Sequence, residues 1–348
     1  MDPEEFNFLY TSTSLTEAVN RIPNTYGLLN AMGMFNTEGT ASILVEVRIE
    51  NGIVRVLSAQ ERGGPGIENK REKGNSLIFK IPHFPQMDLI TPQDIQNMIA
   101  LVNRTKRPAT MDDEVAKRLD QLRTNHAITR EFVRVGALKG VIIDGDGTEL
   151  YNLFDEFDIT KKTVDFALGS VGTDIMGKCE EVHDHVVANL KGEVSDGVEV
   201  MVSGSFFSRL VNHAKVEKFY LQAEQAMQLT RFERDRLGGN WGRVFEFGNI
   251  RFRENKTTFP LKIGTDVVST AAIESGKGHA YPSGTRDTFK TWDAPADTIT
   301  AVNSAPDDEI FISSKVLDHG KGVELWSESN TLSICKRPET LVEVFTSN

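Results

Sequence analysis

From Met111 to Lys139 the chain carries no proline and no glycine except Gly136, and its apolar residues Val115, Leu119, Leu122, Ile128, Phe132, Val133 and Ala137 recur close to the helical period. At 1.5 Å per residue, a helix over these twenty-nine positions is a rod of about 43 Å. Globular helices average about 11 residues, so the fold has to be laid out along a spine.

The flanking segments read as a mixture of arms, hairpins and short helices. Residues 1 to about 40 scatter Phe6, Phe8, Leu9, Ile22, Leu28, Leu29, Met34 and Phe35 at no sustained period, broken by Pro23, Gly27 and Gly33. Such a stretch needs a surface to lie against, and the pattern reads equally as an arm or as the irregular N-terminal part of a core domain. Ile43, Val45, Val47 and Ile49 then alternate up to Asn51-Gly52, a type I′ turn pair, and Ile53 to Leu57 resume. After a charged, Gly-rich run comes a further strand, Leu77 to Ile81. Thr91 and Pro92 offer a helix start, predicting a short helix over about 92–102. Beyond the spine, the pattern predicts a hairpin of 141–143 with 150–154 and a helix from about Val171 to Leu190. A strand follows at Val198 to Val202, then a helix from Ser205 to about Gln228. Two strands flank Gly248-Asn249, residues 264–306 read as loop-rich, and short strands close the chain around 310–313, 323–328 and 341–345. The class is α+β.

Composition limits the functions available. The 348 residues are 39% hydrophobic and 26% charged, enough to build a core, and the net charge of −11 argues against a phosphate-binding surface. The basic clusters are short, at Lys70-Arg71-Glu72-Lys73 and Arg104-Thr105-Lys106-Arg107. Cys179 and Cys335 have no metal-knuckle spacing and read as two reduced, buried thiols. The N-terminus lacks a signal-peptide pattern and no window approaches the roughly 20 apolar residues of a membrane span, so a cytoplasmic site of synthesis is expected.

Asp144-Gly145-Asp146-Gly147-Thr148, after Val141-Ile142-Ile143, matches the D-x-D-G-T pattern of haloacid-dehalogenase-type phosphotransferases. There the first carboxylate attacks phosphorus, the second is the acid/base and Mg²⁺ offsets the charge. Val198 to Ser203 mimics that family's second motif. Against this, a long helix leads into the motif through Gly140, Asp-Gly repeats are turn chemistry for the flanking strands, and Asp307-Asp308 makes a poor late metal pair. His183 and His185 lie about 200° apart around a helix and cannot chelate one ion together. Ser203-Gly204-Ser205 lacks the G-x-S-x-G pattern. Arg62-Gly63-Gly64-Pro65-Gly66 lacks the context of a phosphate loop. No catalytic, cofactor or metal residue is assigned.

Six stretches resemble the lambda-type (protein E) major capsid family of tailed bacteriophages: NTYGLLNAMGMF (24–35), RGGPG (62–66), IPHFPQMDLITPQDIQ (81–96), REFVRVGALKGVIIDGDGTELYNLFDEF (130–157), GKGHAYPSG (276–284) and ESNTLSICKRPETLV (328–342). They occur in family order along almost the whole chain, and the match is weakest over 238–266. The resemblance implies an HK97-type capsid fold. On this mapping the N-terminal arm is 1–40, the extended β loop 41–88, the peripheral domain 89–170 with the spine 111–139, and the axial domain 171–320, with C-terminal strands 321–348 returning to the peripheral domain. It implies a non-enzymatic major capsid protein whose hexamers and pentamers build an icosahedral head around double-stranded DNA, which is enclosed without specific binding. The implied partners are further copies, a scaffolding protein and a portal, with a decoration protein left open and no membrane. The implied location is the virion, after assembly in the host cytoplasm. The competing expectations are an encapsulin-like shell of the same fold, an Mg²⁺-dependent phosphatase using Asp144 and Asp146, and another repeating virion part such as a tail tube.

Overall fold

The computed structural model describes residues 10–24, 26–48, 76–96, 99–102, 105–108, 110–222, 242–263, 265–306 and 308–348. The expected Asn51-Gly52 turn, the glycine run at 62–66 and the end of the helix expected to reach Gln228 lie outside them. Leu44–Arg48 pairs with Ser76–Lys80 in a two-stranded ribbon. Close contacts divide the chain into two units, one of residues 1–45, 80–134 and 291–333, the other of residues 46–79, 135–290 and 334–348.

The spine is helical over Met111–Lys139, as its composition requires. In the first unit its residues Val115, Leu119 and Leu122, spaced to share a face, pack on Ile90, Ile312, Val323 and Leu325. These four come from an antiparallel sheet in which Val323–Ser329 lies between Phe84–Ile90 and Phe311–Val316. The N-terminal segment contributes a helix, Ser12–Arg21, capped by the Thr11 hydroxyl and burying Leu15 and Val19 in the same cluster. Thr16 and Asn20, one turn apart, bond it to the sheet's edge. Ile312 N donates to Thr16 Oγ1 at 3.0 Å, and Asn20 Nδ2 donates to Ile310 O at 2.8 Å.

One expected helix is shorter in this unit. Pro92–Gln96 is helical, with Asp94 Oδ2 accepting from Thr91 N and Oγ1, but Ile99–Val102 is a strand paired antiparallel with Thr105–Pro108. The backbone groups that would have extended the helix are used in that ladder.

The second unit is built on a six-stranded sheet. In spatial order its strands are Val244–Phe247, Ile250–Glu254, Gly197–Val202, Lys277–Ser283, Val342–Phe345 and Lys162–Asp165. Gly197–Val202 is parallel to Ile250–Glu254, Val342–Phe345 is parallel to Lys162–Asp165, and the other pairings are antiparallel. Gly248 and Asn249 both have φ of 59°, the type I′ geometry that their sequence demands. Helices Ile175–Asn189 and Gly204–Val211 supply Cys179, Val182, Val186, Phe206, Phe207 and Leu210 to the core over this sheet.

Two expectations are corrected here. The stretch read as loop-rich contains the strands Asp266–Ala271, Lys277–Ser283 and Phe289–Asp293. Lys277–Ser283 is central and buried on both faces, so it shows no polar alternation, and Gly278 and Pro282 further disguise it. The helix expected from Ser205 breaks at Asn212. The turn there lets Val216, fully buried, join the core before residues 217–222 resume as helix. Residues 291–333 group with the first unit because their strands pair with Phe84–Ile90, while 334–348 group with the second.

Candidate functional site

The DGDGT segment joins two antiparallel strands, Val141–Ile143 and Glu149–Asn152, so its carboxylates sit on a strand-to-strand turn. The turn is closed by Asp144 N donating to Thr148 O at 2.7 Å and Gly147 N donating to Asp144 O at 3.0 Å. Gly147, at φ +89°, occupies the left-handed conformation that an Asp-Gly pair supplies. Each carboxylate is used locally. Asp144 Oδ1 accepts from Gly145 N at 2.6 Å, and Asp146 Oδ1 accepts from Thr148 Oγ1 at 2.6 Å and Thr148 N at 2.9 Å. The two Thr148 bonds hold Asp146 below the ordinary carboxylate range, as an exposed anion fixed to its own loop. Lys262 N donates to Gly145 O at 3.0 Å, which ties the turn to a second hairpin, Thr258–Ile263 with Asp266–Ala271.

Ser203, the serine of the mimicked second motif, caps helix Gly204–Val211 and accepts from Gly276 N at 3.0 Å. Its hydroxyl bonds Phe206, Ser205 and Gly276, partners that include neither Asp144 nor Asp146. Asp307 lies outside the described residues. Among the described residues no three His, Cys, Asp or Glu side chains are grouped to hold a metal ion. His185 Nε2 lies 3.1 Å from Glu339 O, whereas His183 Nδ1 lies 3.5 Å from Asp184 Oδ1, so the two histidines serve different partners. Cys179 and Cys335 are buried and free, and burial pushes both thiols up to about 12. At that value they stay protonated and unreactive.

The most elaborate polar arrangement was not anticipated from the sequence. On the spine, Arg123, Arg130 and Arg134 are buried. Arg123 Nη1 donates to Glu309 Oε2 at 2.7 Å, Arg130 Nη2 to Asp293 Oδ2 at 2.8 Å, and Arg134 Nη1 to Asn30 Oδ1 at 3.1 Å. Glu131 accepts from Leu29 N at 2.7 Å and Asn30 N at 3.1 Å, so a spine carboxylate satisfies the first turn of helix Leu28–Met32. A Cβ at Gly27, where φ is +98°, would meet Glu131 Cδ at 2.4 Å, so the close approach depends on glycine. Sequence offered one faint signal: charged residues at 123, 130 and 134 form a stripe along the helix. A solvated stripe has the same pattern.

Comparison with known proteins bears on the whole chain. Residues 11–346 match the family described as phage major capsid protein E. The major capsid protein of Salmonella phage Felix O1 is 29% identical over 356 residues, covering 95% of this chain and 94% of the relative. That of Pseudomonas phage KPP10 is 31% identical over 354 residues, covering 97% and 96%. Among solved structures, a chain assigned as the capsid protein of a prophage of Escherichia coli CFT073 superposes with a TM-score of 0.61 at 14% identity, over 97% of this chain and 99% of that one.

Proposed function

Because this chain belongs to the phage major capsid protein E family, we propose that its copies close as hexamers and pentamers into an icosahedral head around double-stranded DNA. The chain is a structural major capsid protein of the phage virion, with an HK97-like fold, and it self-assembles into a shell. The observation that carries the reading is the extent of the match. Residues 11–346 take in segments of both units, so what is shared with the family is the whole building block.

Head-to-tail contacts between identical copies close into rings. Apolar surface that one copy leaves exposed can be buried on the next, at up to roughly 25 cal/mol per Å² less ordering costs. A net charge of −11 supports enclosure of DNA without tight binding, since a cationic wall would hold its contents back. We assign the first unit to the peripheral domain, since it holds most of the spine, and the six-stranded unit to the axial domain. Scaffolding protein and portal are the proposed assembly partners and the host cytoplasm the proposed site. No described helix is long and apolar enough to cross a membrane. The phosphatase reading is not retained, because Asp144 and Asp146 are spent on a hairpin turn.

Electron microscopy of the protein expressed with its neighbouring genes tests the assignment. Closed shells of one radius with five- and six-fold capsomers are expected. Tubes, or a monodisperse soluble chain, would overturn it.

A further inference from the structure

The hairpin Thr258–Ile263 with Asp266–Ala271 is a two-stranded ribbon whose two outer edges are unlike. The edge of Thr258–Ile263 is engaged, since Lys262 N donates outward to Gly145 O at 3.0 Å. Lys262 opposes Val267, and in an antiparallel ladder successive residues direct their backbone groups alternately inward and outward. Val267, Ser269 and Ala271 therefore direct N–H and C=O outward, while Val268 and Thr270 face the partner strand. The bond from Ala272 N to Thr257 O fixes the same phase. Among the described residues, Asp266–Ala271 pairs with no strand but Thr258–Ile263, and five of its six residues are exposed, Val267 by 70%.

Exposed edges are normally blunted by lysine, proline, a bulge or a cover. This one has none of the first three. Its register is continuous, and the run Val267-Val268-Ser269-Thr270-Ala271 is uncharged and rich in β-branched residues, the composition that accepts an added strand. The proposal rests on the capsid reading, which supplies the occupant: in a shell, every copy has copies of itself as neighbours.

We propose that the outer edge of Asp266–Ala271 is an assembly contact that takes a strand from a second copy of this chain by β-addition. The uncharged centre of the edge suits this partner. A strand of like kind adds no unpaired charge along residues 267–271. Anchoring through Gly145 holds the ribbon on its other side, so the free edge is presented at a fixed position.

Hydrogen exchange read at single-residue resolution tests this on the full chain, comparing unassembled protein with isolated shells. The amides of Val267, Ser269 and Ala271 should slow by 100-fold or more on assembly, while those of Val268 and Thr270 are already slow in the free chain. A second measurement uses Ser269→Pro, which removes one outward N–H and leaves the bonds to Thr258–Ile263 intact. It should cut shell yield at least 10-fold with the unfolding midpoint of the unassembled chain unchanged, and Val267→Lys should act in the same direction if the proline variant folds poorly. Outward amides that exchange equally fast in both states, or are equally protected in both, overturn the edge contact and leave the capsid reading standing. Failure of the wild-type chain to form shells overturns both.

Discussion

Replacing Glu131 by alanine is expected to release the segment Leu28–Met32 from the spine while leaving the rest of the first unit folded. The carboxylate is 2% exposed and accepts from two backbone N–H groups, at 2.7 and 3.1 Å. Hydrogen bonds to a charged group contribute about 1.5–3 kcal/mol each, so the gross loss is roughly 3–6 kcal/mol. Part is offset, because the buried charge itself costs desolvation; burial raises the Glu131 pKa in spite of its bonds and of Arg134 beside it. A net loss of about 3 kcal/mol corresponds to roughly 100-fold faster local opening. The assay is hydrogen exchange at the amides of Leu29 and Asn30. Glu131→Gln, which keeps one acceptor, should accelerate them by about 10-fold. The amide of Ile312, bonded to Thr16 in the same unit, serves as the internal control and should change far less. If Glu131→Ala leaves the Leu29 and Asn30 amides within threefold of wild type, the carboxylate does not hold this segment and the capping argument is wrong.

Burial pushes His279 down to about 3 and His126 down to about 4, whereas both titrate near 6.5 when unfolded. The unfolded chain binds more protons between these values, so this contribution is complete above about pH 6.5 and falls as pH drops toward 3 to 4. His279→Asn should move the acid-unfolding midpoint to lower pH, and an unchanged midpoint would refute the assignment. Native protein should leave Cys179 and Cys335 unmodified by a disulfide reagent and expose two reactive thiols on denaturation; fast labelling of the folded chain would contradict their burial. Thr148→Ala should raise the titration midpoint of the Asp146 carboxyl toward that of a free aspartate, as read by NMR. Neither wild type nor Asp144→Asn should hydrolyse a generic phosphate ester with Mg²⁺. Hydrolysis lost on that substitution would restore the phosphatase reading.

What the sequence made legible was local. The spine followed from a run without helix breakers, and the DGDGT and Gly248-Asn249 hairpins from turn chemistry between apolar runs. The strand Gly197–Val202 stood out as a short apolar segment. What escaped was long-range. Lys277–Ser283 is buried on both faces and flanked at both edges by strands from elsewhere in the chain, so its pattern carries no period. The spine arginines look like a solvated stripe because their partners, Asp293 and Glu309, lie more than 160 residues away from Arg130 and Arg123. The short ribbon after Pro92–Gln96 was hidden by a good helix start, which says where a helix begins and nothing of where it ends.

The order of strands in the six-stranded sheet has a consequence for biosynthesis. Val342–Phe345 lies between Lys277–Ser283 and Lys162–Asp165, and it is the last of the six to be translated. Until it emerges from the ribosome, two strands already made have their edges open where it belongs, and the second unit cannot close its core. A nascent chain is thereby kept from presenting a finished building block.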